Sequence, residues 1–344
     1  MENKNKKNKK LNMFLLVLAA VLSIILGVGI GSVYVSPADT IAILADRFFG
    51  ITLQPIDTIN SALVMDIRLP RVLLAFLTGA ALAVCGTVMQ SVLQNPLASP
   101  FGLGISAGSG LGVAVVIVSG ASVGVLGMFL LPIVSFLCGL VTVILVIGVV
   151  SYIDHRMSNT TIVLTGMVVS LFFTAIMNML ATFSPSYAQR INLWLLGSFS
   201  AKEWNSVWIL FPVLALCLCF FLRYSKEMDI MTFGEEQAQA MGVDLKKCKW
   251  LLIGGVAVLT GTAVAFAGII GFIDLVAPHV VRRFFGSGHR RVLPASALFG
   301  GTFMVLCDLA ARTLASPREI PIGSITALLG APFFIYIYFM GRKE

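Results

Sequence analysis

The chain contains 344 residues, of which 58% are hydrophobic and 12% are charged, and its mean hydropathy is +0.96. Ordinary soluble domains carry about 25% charged residues, so this composition excludes a soluble globular protein and indicates an integral protein of a lipid bilayer. The formal net charge is +8. Because membrane topology accounts for this excess, we expect no nucleic-acid partner.

Long stretches without charged residues predict ten membrane-spanning helices, since about 20 apolar residues cross a bilayer. The eighth predicted span is the shortest. Alternation of polar and apolar residues with a period of two is absent, so we expect an all-α polytopic protein and no β-barrel. The predicted spans are residues 12–35, 70–90, 101–118, 129–150, 161–183, 205–222, 250–269, 272–284, 293–312 and 322–340.

The distribution of basic residues predicts the topology. With ten spans both termini lie on one side, and 17 of the 24 Lys and Arg residues fall on that side. Cytoplasmic loops carry such an excess, so both termini are predicted to be cytoplasmic. The predicted organisation is a basic tail at residues 1–11, a single transmembrane domain at 12–341 and a short tail at 342–344. We interpret the first span as an uncleaved anchor and expect no disulfide framework.

A weak internal repeat relates the two halves of the chain. Residues 79–104 and 261–286 align with seven identities, among them Gly79 with Gly261 and Gly86 with Gly268. The shift moves span two onto span seven, so the copies would run in opposite directions across the membrane. Inverted repeats of this kind are frequent in transporters.

Span five carries a stripe of small and polar residues four apart. Gly166, Ser170, Thr174 and Asn178 become more polar along one helix face. Lipid contact would be costly for this face, so it is expected to contact protein or water. Close helix packing and the lining of a pathway both fit the pattern.

Motifs for catalysis and nucleotide binding are missing from the sequence. It contains no GxxxxGK[ST] or HExxH pattern and only three histidines, and its glycine-rich stretch GLGISAG lies within a predicted span. We therefore expect no enzymatic activity, cofactor or metal site in this chain. The pattern is typical of a conduit whose energy source lies in another subunit.

Charged residues at membrane depth are further candidates. Asp308 and Arg312 lie four apart near the outer end of span nine, so they can pair on one helix face. Asp274, near the turn between spans seven and eight, could relay protons or could lie packed at headgroup level. Asp274 and Asp308 together define an alternative function, a proton-coupled secondary transporter.

Arg68 and Arg71 lie on the predicted outer side, against the general charge bias, on either side of Pro70. The planar fork of arginine binds carboxylates bidentately. We therefore expect exposed arginines that dock an acidic partner outside the cell; simple interfacial anchoring is the alternative. On the cytoplasmic side, GEEQAQAMGV predicts a short water-compatible helix that ends at Gly242.

The segments RLPRVLLAFLTGAALAVCGTVMQSVLQNPLASPFGLGISAGSGLG, LWLLGSFS, GEEQAQAMGV, GIIGFIDLVAPHVVRR and REIPIGSITALLGAPFFIYI occur in this order between about residues 60 and 340. Together they resemble the permease subunits of ABC importers for iron siderophores, haem and vitamin B12. This resemblance implies a multi-pass protein of the bacterial cell membrane that imports a ferric siderophore. It also implies three kinds of partner: a second permease, two ATPase subunits at the cytoplasmic face, and an extracytoplasmic substrate-binding lipoprotein. The chelate itself, and whether the second permease is an identical copy or a paralogue, stay open.

The resemblance also assigns roles to residues. It implies that Arg68, Arg71 and Arg312 meet acidic residues of the binding protein, and that LWLLGSFS forms a short helix beside the pathway. It implies a cytoplasmic gate at Ser158, Asn159 and Thr160. The residues it implies for the helix that couples to the ATPase are Gly234, Glu235, Glu236, Gln237, Ala238, Met241 and Gly242.

Overall fold

The computed structural model describes residues 2–31, 35–51, 57–121 and 127–340, and these residues contain no β-strand. A π-helical turn at Leu63–Arg68 joins α3 to α4, and a 3₁₀ turn at Pro100–Leu103 precedes α5. The helices are α1 Glu2–Gly29, α2 Pro37–Phe49, α3 Thr58–Ala62, α4 Leu69–Val92, α5 Ile105–Ser119, α6 Gly127–Ile153, α7 Asn159–Phe183, α8 Pro185–Leu195, α9 Trp204–Arg223, α10 Ser225–Met231, α11 Glu235–Ala240, α12 Leu245–Ala267, α13 Ile273–Phe285, α14 His289–Thr313 and α15 Ile322–Met340.

The prediction of an all-helical membrane protein is confirmed. Within the described ranges, seven helical segments are long and apolar enough to cross a bilayer, and α5 and most of α15 form two shorter apolar helices. The eighth predicted span corresponds to α13, which has only 13 residues. A helix of this length rises about 20 Å, less than the hydrocarbon thickness of about 30 Å. Helix α13 alone is therefore too short to cross the bilayer.

The two ends of the chain differ in how far the structure describes them. From Glu2 onward, the residues predicted as a basic tail are helical and continuous with the first span. The end of the first predicted span at residues 32–34 and the predicted tail at 342–344 lie outside the described residues.

Helix α4 lies at the centre of the bundle. In the segment Thr58–Val92, 89% of the residues in the most apolar 18-residue stretch are buried. Helix α4 packs against α1, α9, α12, α13 and α14. A Cβ atom on Gly79 would collide with the carbonyl of Gly300, and one on Gly86 would collide with the carbonyl of Asp274. Small residues thus allow helix backbones to touch, which is how helices associate where lipid removes the hydrophobic driving force.

Helix α7 lies at the edge of the bundle. Only 17% of the residues in its most apolar 18-residue stretch are buried, and Leu164, Val168 and Leu171 are exposed. Helix α5 packs between α6 and α7. The apolar outer face of α7 is therefore free to contact lipid or another chain.

Three non-helical segments meet beside α8. The amide of Ser198 donates to the carbonyl of Ala267 over 2.8 Å, and the amide of Gly323 donates to the carbonyl of Leu196 over 3.0 Å. Gly197 and Gly268 have φ angles of 71° and 76°, and a Cβ at Gly268 would lie 2.6 Å from the carbonyl oxygen of Trp194. Main-chain groups thus satisfy one another where lipid offers no hydrogen bonds.

Candidate functional site

Helix α11 forms a small exposed element on the predicted cytoplasmic side. It spans Glu235–Ala240, inside the predicted range 234–242. Gly234 and Gly242 flank it with φ angles of 115° and 86°, a region of positive φ that favours glycine. Ala238 is fully buried, whereas Phe233 and Met241, just outside the two ends, are 65% and 62% exposed. Large apolar side chains exposed on either side of a polar helix are typical of a contact surface for another protein.

A polar network holds the preceding helix α10 to the bundle. The side chain of Asp229 accepts a hydrogen bond from the amide of His289 over 2.9 Å and lies 2.5 Å from its Nδ1. The Nε2 atom of the same histidine lies 2.5 Å from the hydroxyl of Ser91 at the end of α4. Helices α10, α14 and α4 are thus joined through one buried side chain, that of His289.

The predicted gate residues begin α7. Ser158 is the N-cap and accepts a hydrogen bond from the amide of Thr161 over 3.3 Å. The carboxylate of Asp154 accepts from the amides of Ser158 and Arg156 over 2.9 and 3.0 Å. Hydrogen bonds, first of all that from the Ser158 amide, lower the pKa of Asp154 below its usual range. Asn159 is half-buried and Thr160 is exposed, so the turn is ordered by its own polar groups.

On the predicted outer side, Arg71 joins two acidic residues. Its Nη2 lies 2.9 Å from Oδ1 of Asp308, and its Nη1 lies 2.7 Å from Oε1 of Glu319. The predicted pairing within α14 is confirmed, since Nε of Arg312 lies 3.3 Å from Oδ2 of Asp308. Burial favours the protonated form of Glu319, but the hydrogen bond and charge of Arg71 prevail and lower its pKa. We call Arg68, Arg71, Asp308, Arg312 and Glu319 the outer charge cluster.

The prediction that the outer arginines are exposed is wrong for Arg68, and Arg312 is buried as well. Arg68 is 4% exposed and Arg312 is 8% exposed. Arg68 donates to the carbonyls of Val28 and Gly29 over 3.1 and 2.9 Å, and Arg312 donates to the carbonyl of Gly27. The last carbonyls of a helix lack intrahelical donors, and basic side chains can satisfy them. These two arginines therefore stabilise the C-terminus of α1.

The stripe on α7 divides into a packed half and an open half. Gly166 is buried, and a Cβ there would collide with the carbonyl of Gly102. The hydroxyl of Ser170 donates to the carbonyl of Gly166 over 2.7 Å. Thr174 is half-buried and Asn178 is exposed. Helix packing thus accounts for the part of the stripe nearest the start of α7.

Asp274 is packed inside the bundle. It is 1% exposed and accepts a hydrogen bond from the hydroxyl of Ser99. Among the described residues, its Oδ1 atom has no hydrogen-bond partner. Within the same residues, no group of three or more His, Cys, Asp or Glu side chains could hold a metal ion.

Residues 17–340 match the FecCD transport family. The chain belongs to this family. Helices α1 to α15, with the exposed α11 and the turn that precedes α7, all fall within the matched range, apart from the first residues of α1. The FecCD chain is therefore an ABC importer permease and a multi-pass protein of the bacterial cell membrane. As a permease subunit it works with ATPase and binding-protein partners.

Individual relatives of this FecCD permease carry different names. The uncharacterized ABC transporter permease YvrB of Bacillus subtilis is 38% identical over 92% of this chain and 90% of its own. The cobalamin import permease BtuC of Halobacterium salinarum is 37% identical over 88% and 78%. The Fe(3+)-citrate import permease YfmE of Bacillus subtilis is 32% identical over 100% of both chains. A solved metal-chelate-type ABC transporter in an inward-facing conformation matches with a TM-score of 0.82, 31% identity and coverage of 95% and 98%.

The alternative of a proton-coupled secondary transporter that uses Asp274 and Asp308 is not favoured. The family consists of ABC importer permeases. Asp308 forms ion pairs with Arg71 and Arg312, and these contacts fix it as a structural counter-ion between two helices of the FecCD permease.

Sequence reasoning missed several polar contacts of this permease. Glu319 forms an ion pair with Arg71. The sequence signal for this contact was an acidic residue in the outer loop before span ten. Lys249 is completely buried, although we predicted that span seven begins at residue 250. The contacts of His289 with Asp229 and Ser91 bridge 60 and 198 residues, and no local pattern indicates them.

Proposed function

We propose that this permease imports a ferric siderophore or a related ferric chelate, with energy from a separate ATPase. The observation that carries the cargo class is the alignment with YfmE, named for Fe(3+)-citrate, over the full length of both chains. The match with a metal-chelate-type transporter at a TM-score of 0.82 supports the same class. A corrinoid is the competing cargo because of the relative named for cobalamin.

In this proposal α11 contacts the ATPase. Its buried Ala238 holds it to the bundle, and its exposed side points away from the protein. Two acidic residues in its first turn, Glu235 and Glu236, suit the positive end of the helix dipole. The proposed contact surface consists of Gly234, Glu235, Glu236, Gln237, Met241 and Gly242, with Ala238 packed beneath it.

We place the pathway between two permeases, a second copy or a paralogue, that pair through exposed apolar faces such as that of α7. The open part of the α7 stripe, Thr174 and Asn178, would then line a route toward Ser158, Asn159 and Thr160. Support comes from the low burial of α7, since only 17% of the residues in its most apolar 18-residue stretch are buried. The packed Gly166 and Ser170 would set its position against α5.

At the outer face, we propose that the binding protein docks on the outer charge cluster. It contains three arginines and two carboxylates, so it carries an excess positive charge toward an acidic partner. Arg71, with a side chain 12% exposed beside the 40% exposed Glu319, would be the residue that meets the partner. Arg68 and Arg312 would support it from behind, through their bonds to α1.

The test is uptake into liposomes that contain the permease with its ATPase, with the loaded binding protein outside. We expect uptake of a radiolabelled ferric chelate that requires ATP, stops with vanadate and persists with a protonophore. Cyanocobalamin serves as the control cargo. Uptake that follows a proton gradient would remove the assignment to ATP-driven import, and uptake of cyanocobalamin without iron would overturn the cargo class.

A further inference from the structure

Lys249 is a completely buried lysine near the start of α12, with a relative exposure of 0%. Its Nζ donates to two acceptors. One is Oε1 of Glu235 in the first turn of α11, at 2.8 Å, and the other is the carbonyl of Met157, at 2.7 Å. Met157 immediately precedes the predicted gate residues Ser158, Asn159 and Thr160. One ammonium group therefore contacts both the helix proposed to bind the ATPase and the turn proposed to close the pathway.

Burial makes both contacts of Lys249 necessary. An ammonium group without water is retained only when it is paired and hydrogen-bonded, because its desolvation is costly. Glu235 supplies the counter-charge while its own side chain is 29% exposed. If α11 moved away alone, Lys249 would lose its counter-ion inside the protein. It is therefore more favourable for Lys249 to follow Glu235.

The Met157 turn is built to respond to such a movement. Met157 has a φ angle of 52° and is fully buried, and a non-glycine residue in this region is strained unless its surroundings hold it there. Its carbonyl is held by Lys249, and the next residue, Ser158, caps α7. A shift of Lys249 would thus act directly on the first turn of α7.

We propose that Lys249 is a positioning residue that transmits movements of α11 to the gate turn at the start of α7. This proposal rests on the proposed function, in which α11 contacts the ATPase. Exposed Lys246, three residues earlier on α12, provides a matched control. Lys246 lies on the same helix but forms neither of the two contacts of Lys249.

The first measurement is the amount of chelate transported per ATP hydrolysed by the complete complex in liposomes. We expect Lys249→Met to lower this ratio by about tenfold or more, as for loss of a hydrogen bond to a charged group. Lys246→Met should keep the ratio of the parent. If Lys249→Met prevents assembly, Glu235→Gln decides, since Glu235 lies on a partly exposed helix; it should lower the ratio in the same direction.

The second measurement reports on the gate itself. Thr160→Cys, in a background with the exposed Cys219 replaced by serine, is labelled with a hydrophilic thiol reagent with and without ATP and vanadate. We expect the nucleotide to change the labelling rate in this background and in Lys246→Met, and to have no effect in Lys249→Met or Glu235→Gln. An unaltered nucleotide response and transport ratio in both variants would overturn the inference alone. A parent complex without ATP-dependent uptake would overturn the proposed function, and the inference with it.

Discussion

Arg71 on α4 and Asp308 on α14 are joined by three N–O contacts of 2.9, 3.0 and 3.3 Å, although 237 residues separate them in the chain. Asp308 also contacts Arg312, so a single buried carboxylate forms ion pairs with two arginines. This arrangement ties the outer ends of α4 and α14 together, and Arg312 extends the tie to the end of α1.

Asp308→Asn should destabilise the permease strongly. The substitution leaves two arginines without this counter-ion at a position that is 1% exposed, and breaking a buried ion pair typically costs about 3–5 kcal/mol. We expect a clearly lower Tm in detergent. Glu319→Gln is the control, because the side chain of Glu319 is 40% exposed. An exposed ion pair contributes at most about 1 kcal/mol to stability. Equal Tm values for the two variants would contradict this role of Asp308.

Two variants of the outer charge cluster should change binding-protein capture in opposite directions. Arg71→Gln removes the arginine proposed to meet the partner, and we expect at least about tenfold weaker binding, or about 1.4 kcal/mol. Glu319→Gln removes the internal competitor for the same guanidinium, so binding should become tighter. Binding of the parent should weaken as salt rises, since salt screens exposed charges.

The measurement is the equilibrium affinity of the loaded binding protein for the purified complex in nanodiscs. Arg318→Gln, a change at the exposed neighbour of Glu319, is the control and should leave the affinity unchanged. If both Arg71→Gln and Glu319→Gln bind like the parent, the cluster has a structural role only.

Gly86→Ala should force α4 and α13 apart. The added methyl group would collide with the main-chain carbonyl of Asp274, which cannot move without its helix, and overpacking of this kind typically costs about 1–3 kcal/mol. Gly254→Ala is the control, because no atom lies within 4 Å of the new Cβ. We expect a lower Tm for the first variant and an equal or higher one for the second. A normal Tm for Gly86→Ala would show that the helix pair tolerates a wider spacing.

Gly242→Pro should uncouple transport from ATP hydrolysis. Gly242 has a φ angle of 86°, whereas proline fixes φ near about −65°, so α11 cannot end as it does now. Membrane insertion should be normal because Gly242 is exposed and lies outside the spans. Gly242→Asn, which tolerates the left-handed region, should retain uptake. Normal ATP-driven uptake by the proline variant would remove α11 from the coupling step.

Cysteines along α7 should report whether its open half is wet. At Asn178 and Thr174 we expect reaction with a small hydrophilic thiol reagent in the assembled complex, and at Ser170 slower reaction because that hydroxyl is packed against Gly166. A cysteine at Phe172, which is 61% exposed in the single chain, should be protected by lipid or by the second permease. Protection at Asn178 and Thr174 would indicate that this face is covered by protein.

The helices could be predicted from the sequence because their signal is local. The absence of charge over about 20 residues is required by the bilayer, and α7, predicted at 161–183, spans Asn159–Phe183. The short α13, predicted at 272–284, spans Ile273–Phe285. Helix α11 was equally predictable, since a polar stretch between two apolar ones is unfavourable in lipid.

The side-chain contacts could not be predicted in the same way. Lys249 lies 92 residues from Met157, and Arg68 lies 40 residues from Val28. In each case the partner is a main-chain carbonyl, which every residue has, so no sequence pattern distinguishes it. The position of Arg68 on the outer side, against the general charge bias, indicated an exposed side chain. The side chain is buried instead, because it donates hydrogen bonds to the carbonyls at the end of α1.

Main-chain hydrogen bonds between amide and carbonyl groups join the segments that meet at Leu196, Gly197, Ala267 and Gly323. Replacement of most side chains around this meeting point leaves those hydrogen bonds intact, provided that the glycines remain. The side chains around this point can therefore diverge among related permeases while the main-chain hydrogen bonds stay the same.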